Sequence, residues 1–440
     1  MNKQVWIFSF LMISMLASRA QTKTLSLEEA VQLGVQNSKQ LKLSRTKIDQ
    51  AVSQLAQAKD AALPTAKVSA GYSHALMLSR KLSIPGDSGK VTNIKLPFDN
   101  TLYQATFSIN EPVFAGHQFK YAQQSADLLI KASKLDAERD KDEVVYNVIN
   151  SYLNYYKIKQ NQVIVKQNLD DIQSKLDEII KFEKQGLATE NDVLRYQLQK
   201  SNTELTFAEL ENNRAIANYN MNILLGLNDS TELDVQDVSY KLNVDSNFNQ
   251  YLQLALKDRK EFSSLDYQSQ IADINIRKIH DQQLPTVGIG GNLYYFNLSK
   301  ALIPSSGAFL APFVVGINAS WDIGSLYKTK NKISEAKIER RQIDVSKDAA
   351  VDKVKTEVYQ SYMQFHLALD RIKVLQHAIN QATENERVME SKFHNNLATT
   401  TDRIDAQTLL YEARINLELA KSDATVAYYS LLKSIGHIQP

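Results

Sequence analysis

The chain has 440 residues, with 51 lysines and arginines against 49 aspartates and glutamates, and no cysteine. That balance excludes the clustered positive excess a nucleic-acid surface needs. The missing cysteine excludes structural disulfides, thiolate metal sites and a lipid-bearing cysteine, while length alone suggests two or three domains.

Residues 1–20, MNKQVWIFSFLMISMLASRA, set Lys3 before an apolar run from Val5 to Leu16 and close on the small Ser18 and Ala20. The pattern predicts a secretory signal peptide cleaved near Ala20, with a buried N-terminal helix as the alternative. Without Lys3 and Arg19 the charges stand at 49 to 49. No later apolar run reaches the roughly 18 residues of a membrane-spanning helix, so a membrane role would have to come from strands.

A first repeat is predicted over 22–227: a helix at 25–62, strands at 65–78 and 101–113, and a helical hairpin at 117–226 with its tip near 186. A linker at 228–245 leads to a second repeat over 246–437. It has a helix at 248–283, strands at 286–297 and 312–322, and a hairpin at 325–435 with its tip near 396. The helices are read from missing punctuation. No proline lies between Pro112 and Pro285, and only Gly186 and Gly226 occur between Gly116 and Gly288. After Gly324 the next glycine is Gly436. Interior proline costs about 3 kcal/mol and glycine about 1, so such gaps suit long helices. Residues 117–185 alone would span about 100 Å at 1.5 Å per residue. The apolar positions Leu169, Ile172, Leu176 and Ile179, and Val358, Tyr362, Phe365, Leu369 and Ile372, alternate steps of three and four, the seam of a coiled coil.

The strand candidates alternate apolar and polar residues. Tyr103, Ala105, Phe107 and Ile109 interleave with Gln104, Thr106, Ser108 and Asn110; Phe313, Val315, Ile317, Ala319 and Trp321 do the same with Gly316, Asn318, Ser320 and Asp322. This is how a membrane barrel strand reads, although a half-buried sheet in a soluble domain shares the period. Four strands cannot close a barrel of about eight or more, and an open edge in lipid leaves N–H and C=O groups unsatisfied, so a membrane reading requires several chains.

The chain is written twice. At an offset of 221, Leu33, Ala51, Leu63 and Pro64 fall on Leu254, Ala272, Leu284 and Pro285. At 208, Ile109, Asn110 and Gly116 fall on Ile317, Asn318 and Gly324; at 210, Tyr219 and Gly226 fall on Tyr429 and Gly436. The phrase QGLATENDVLRYQ (185–197) returns as NNLATTTDRIDAQ (395–407).

LSLEEAVQLGVQNS (25–38), LPTAKVSAGY (63–72), INEPVFAG (109–116), the two tip phrases and the endings AIANYNMNILLGL and TVAYYSLLKSIG occur in an order that resembles the TolC family of outer-membrane efflux channels. The resemblance covers about residues 22 to 437. It implies a mainly α fold with a β-barrel portion: four membrane strands per chain in a twelve-stranded barrel shared by a homotrimer, continued by a helical tunnel through the periplasm. It implies residence in the Gram-negative outer membrane, contact with outer-membrane lipid, and partnership with a periplasmic adaptor and an inner-membrane RND pump or ABC exporter. The linker would belong to an equatorial belt, and loops 79–100 and 298–311 would be extracellular.

The tips are the candidate site. Gly186 and Asn396 fit left-handed turn positions. By position Gly186, Leu187, Ala188 and Thr189, with Asn396, Leu397, Ala398 and Thr399, would meet the adaptor. Thr189 with Asp192, and Thr399 with Asp402, read as capping boxes. Asp402 and Asp405 also match paired aspartates that ring the closed mouth in the family, where crowded carboxylates would form a cation-selective constriction. For Asp402 capping alone remains open; Asp405 lies beyond the cap and has Arg195 as its counterpart. A family latch tyrosine and arginine are replaced here by Phe393 and Ala398.

The seven histidines are scattered, GIGG at 288–291 lies in a strand, and no serine sits in a nucleophile elbow, so neither an enzyme nor a metal or cofactor site is predicted. The leading function is an exit duct for small molecules, drugs or metal ions. Type I protein secretion and, in another class, a soluble periplasmic coiled-coil scaffold are the alternatives.

Overall fold

The computed structural model describes residues 23–74, 81–85, 91–95, 101–237, 247–297 and 309–438. The predicted signal peptide, much of loop 79–100, residues 298–308 of loop 298–311 and the second half of the linker lie outside them. The helices are α1 (Leu27–Asn37), α2 (Lys39–Asp60), α3 (Gln118–Lys184), α4 (Glu190–Leu225), α5 (Phe248–Asp258), α6 (Lys260–His280), α7 (Ser325–His394) and α8 (Thr400–Ser434). The strands are β1 (Lys23–Leu25), β2 (Thr65–His74), β3 (Lys81–Pro85), β4 (Val91–Lys95), β5 (Thr101–Ala115), β6 (Leu233–Val235), β7 (Thr286–Asn297), β8 (Phe309–Leu310) and β9 (Phe313–Ser320). The chain divides into two compact units, one holding the residues up to Lys47, Lys134–Ser264 and those from Ser346 onward, the other Ile48–Ser133 and Leu265–Val345.

In the first unit, Ser26 caps α1 by accepting from the Glu29 N–H at 3.1 Å. The helix expected over 25–62 is broken at Ser38, whose ψ of 121° is extended. Its hydroxyl accepts from the Leu41 N–H and starts α2. The second-repeat helix expected over 248–283 breaks at the equivalent residue, Arg259, and ends in a short 3-10 turn, Asp281–Gln283. Neither break carries proline or glycine. Ser38 offers a competing local hydrogen bond. Arg259 is held by Glu261 at 2.6 Å, by Glu357 at 2.5 Å and by the Ser434 carbonyl at 3.3 Å.

Part of the expected linker is a strand: β6 pairs in parallel with β1, Lys23 opposite Leu233 and Leu25 opposite Val235. Two buried tyrosines on α3 tie this ribbon down. The Tyr152 hydroxyl lies 2.9 Å from the Leu25 carbonyl, and that of Tyr155 donates to Leu233 O at 2.6 Å. Around them Leu25, Val148, Ile149, Leu153, Met221 and Leu225 form the first-repeat core. Val354, Val358, Phe365 and Leu431 form a second core with Ala255.

The second unit contains an antiparallel sheet in the order β2-β5-β7-β9, with β8 pairing the end of β7. Tyr72 stands opposite Tyr103 and Thr286 opposite Ser320. β5 runs past the expected 113 to Ala115 because a bulge between Pro112 and Phe114 absorbs the proline, which has no N–H for the ladder. Loop 79–100 contains a small hairpin, β3 with β4. Every residue of β2 and β9 is exposed. Neither face of these two strands is covered by a core.

Gly226 closes α4 at φ 67°, and a Cβ there would sit 2.7 Å from the Asn37 Cβ. The Asn37 amide donates to the Leu225 carbonyl at 2.7 Å, so the neighbour cannot easily move. Gly186 has φ 75° with nothing within 4 Å. Gly186→Ala is therefore expected to cost only the left-handed strain, about 1 kcal/mol. Gly226→Ala should cost distinctly more, read from guanidinium unfolding midpoints of the detergent-solubilised protein.

Candidate functional site at the hairpin tips

Both tips close by the same hydrogen bonds. After α3 the Leu187 N–H donates to Phe182 O at 2.8 Å and Gly186 N–H to Glu183 O at 2.9 Å. After α7 the Leu397 N–H donates to Lys392 O at 2.8 Å and Asn396 N–H to Phe393 O at 3.0 Å. The residue that turns the chain is left-handed in each: Gly186 at φ 75° and Asn396 at φ 59°. Leu187 and Leu397 point outward, Ala188 and Ala398 are half-buried, and Gly186, Thr189, Asn396 and Thr399 are exposed.

A capping box opens each returning helix. Asp192 Oδ2 accepts from the Thr189 N–H at 2.9 Å and its hydroxyl at 2.6 Å, while the Asp192 N–H reaches Thr189 Oγ1 at 3.3 Å. The corresponding distances for Thr399 and Asp402 are 2.9, 2.7 and 3.2 Å. The bonds from the Thr399 N–H and hydroxyl hold the Asp402 carboxyl below the ordinary aspartate range. Burial pushes Asp192 up, but bonds from Thr189 and from Thr400 of the other tip, with the charge of Arg195, bring it below the ordinary value. Asp405, one turn along α8, is exposed, and no hydrogen bond or ion pair engages it among the described residues.

The two tips lie side by side. Phe182 and Phe393 stack at 6.3 Å between centroids. Beneath them Arg403 of α8 is buried, with its guanidinium 4.6 Å from the Phe393 ring. It donates to Glu178 Oε2 of α3 at 2.7 Å and to Glu390 Oε2 of α7 at 2.7 Å. Lys175 adds contacts to Glu386 at 2.9 Å and Glu390 at 3.5 Å, and His394 lies 3.2 Å from Glu390. Burial pushes the neighbouring Tyr196 hydroxyl up to about 12 against the pull of Arg403. Burial raises Glu390 as well, but the bonds and charges of Arg403, Lys175 and His394 prevail and lower it.

This cluster was missed in the sequence, yet a signal exists. At the offset of 210, Glu390 and Arg403 correspond to Ile180 and Val193, both of which pack on the apolar tip cluster. The first hairpin keeps an apolar pair where the second has an ion pair. The expected latch positions Phe393 and Ala398 contribute a ring to this cluster and a half-buried methyl respectively.

Arg403→Met would take the arginine from Glu178 and Glu390, leaving Lys175 beside Glu390, and the loss is expected to reach about 3 kcal/mol. Arg403→Met with Glu178→Gln and Glu390→Gln should recover part of it, measured by chemical unfolding. Depressed carboxyls stabilise above their ordinary range and lose that contribution as pH falls through the folded-state value. Glu390, Asp192 and Asp402 all act in that direction. Protease nicking at the tips should therefore be unchanged near neutral pH and increase only in acid.

The sequence profile of the family described as outer membrane efflux protein matches residues 30–227 and 251–437. Outer membrane efflux protein BepC of Brucella suis is 22% identical over 339 residues, covering 75% of this chain and 71% of that protein. Among solved structures, the CmeC outer membrane channel of Campylobacter jejuni aligns at a TM-score of 0.75 and 15% identity, over 93% of this chain and 85% of its own. VceC of Vibrio cholerae aligns at 0.73 and 14%, over 93% and 96%. The fold read from the sequence, helical with a β portion, is the fold of these channels. The chain belongs to the outer membrane efflux protein family: it is an outer-membrane efflux channel and not an enzyme.

Proposed function

We propose that three copies of the chain form one conduit, a passive exit duct for small molecules handed over by a periplasmic adaptor and an inner-membrane RND pump or ABC exporter. The observation that carries this is a pair of faces left open by the duplication. On α8, Val426 and Tyr429 pack against the core that contains Ile149 and Leu153 of α3. Their counterparts in the other repeat remain in solvent: Ile216 and Tyr219 on α4 are 52% and 48% exposed, and Tyr359 and Met363 on α7 are 53% and 48% exposed. One face supplies what the other lacks. A contact between two different patches of the same chain is heterologous, and it closes into a ring when the rotation allows.

The sheet supports the same reading. Among the described residues β2 and β9 each pair on one side only, and an unpaired edge is excluded from lipid. Three four-stranded sheets joined β9 to β2 would give a twelve-stranded barrel. The efflux named for the relatives favours small-molecule cargo over polypeptide. The exposed tip residues Gly186, Leu187, Thr189, Asn396, Leu397 and Thr399, with Ala188 and Ala398 behind them, are assigned to the adaptor. Asp405, whose carboxylate has no partner among the described residues, is assigned to the constriction, with Asp402 dividing its charge between the cap and the pore.

The natural absence of cysteine makes the interface directly testable. Ile216→Cys with Met363→Cys in one chain should give disulfide-linked species up to a trimer on denaturing gels. Monomer alone, from a sample that is oligomeric in detergent, would reject this packing. In planar bilayers Asp405→Asn should reduce cation selectivity and divalent-cation block with unchanged unfolding. Asp402→Ala should also lose about 1 kcal/mol of cap. Unaltered currents in the double variant would remove both residues from the pore.

A further inference from the structure

We propose that the start of α7 and the helix ends beside it form a basic collar that binds the phosphate headgroups of anionic phospholipids; this rests on the sheet lying in the membrane. The stretch that leaves β9 exposes Trp321, Ile323, Leu326 and Tyr327, the last at 71%. Exposed Lys328, Lys330 and Lys332 follow directly. The Trp321 indole N–H is already satisfied, donating to the Gln283 carbonyl at 2.9 Å, so its ring is fixed while half of it remains in solvent.

The internal demands of the fold do not account for the three lysines. Ser325 and Thr329 are the buried residues of this turn, and no carboxylate pairs with the lysines among the described residues. Cations are unfavourable near a helix start, and the first turn of α7 contains no acid to offset them. The duplication confirms that these charges are optional. At the offset of 208 that aligns the two strand ends, Lys328 falls on Lys120, but Lys330 and Lys332 fall on Ala122 and Gln124.

The nearby acids are occupied. Asp322 accepts from the Gly324 N–H at 2.9 Å. Asp281 is shared by His117 at 2.9 Å, His280 at 3.2 Å and the Tyr121 hydroxyl at 3.2 Å. Lys120 and Arg277 at the neighbouring helix ends add exposed positive charge.

A free anion would need only the lysines. Exposed aromatic and aliphatic groups adjoining them at the end of a spanning strand fit the boundary between acyl chains and headgroups, where Trp and Tyr gather and basic side chains attract anionic lipid. The favoured partner is therefore the lipid surface on the helix side of the sheet.

The test uses the full chain purified in neutral detergent, with retention of phosphatidylglycerol and phosphatidylcholine followed by native mass spectrometry at low and high salt. The wild type should retain phosphatidylglycerol preferentially at low salt, and Lys328→Gln with Lys330→Gln and Lys332→Gln should weaken that binding about a hundredfold, at about 1 kcal/mol per lysine. The corresponding triple arginine variant should keep it. Equal retention of both lipids by the wild type, or undiminished phosphatidylglycerol binding by the glutamine variant, would overturn the collar. So would displacement of the lipid by millimolar inorganic phosphate, which marks a simple anion site. Fractionation of the same samples keeps the two ideas apart. A wild type absent from outer membranes removes the membrane placement itself; membrane-resident oligomers without lipid preference remove only the collar.

Discussion

Backbone hydrogen bonding in an environment without water is the constraint on which the rest depends. The long antiparallel strands satisfy one another across β2-β5-β7-β9, and the outer edges of β2 and β9 have no partner among the described residues. In water such an edge would be an aggregation hazard; in lipid it is inadmissible. β2 and β9 are exposed along their whole length, so among the described residues neither lies on a core. The proposed oligomer would meet both deficits, by closing the sheet with those of other copies while one face meets lipid.

The helices show the same incompleteness in a different currency. A duplicated chain makes each packing surface twice, but a single copy can bring only one pair together. Val426 and Tyr429 have found their core, whereas Ile216, Tyr219, Tyr359 and Met363 have not. These unpaired faces, like the sheet edges, support the proposed assembly of several copies.

Much of the fold is legible in the sequence. Proline and glycine gaps locate the long helices because those residues are costly in helix interiors. The alternation of Tyr103 to Asn110 located β5 because strand side chains have a period of two. Features that depend on tertiary partners were not visible. Ser38 and Arg259 interrupt helices without a breaker, the second because Glu261 and Glu357 hold it. β6 is three residues long and is secured by Tyr152 and Tyr155 from a distant helix, leaving no periodicity to read. Asp402 was read both as a cap and as a pore residue, and its bonds to Thr399 establish the first role without touching the second.

Departures from internal symmetry carry more information than the symmetry. Where the repeats agree, as in the two capping boxes, the residues serve a turn that either copy must make. Where they diverge, some other requirement has acted on one copy alone. Ile180 and Val193 suffice to pack one hairpin end, so the Glu390–Arg403 pair at the other, with its arginine buried and its glutamate half-buried, is not needed for packing in itself. A buried ion pair is weak evidence for stability but demands fixed geometry, because each charge is intolerable without its partner. By reaching Glu178 of the first hairpin, Arg403 makes the position of one tip a condition for burying charge in the other. The second hairpin end is therefore registered against the first more strictly than an apolar seam, which can slide, would achieve.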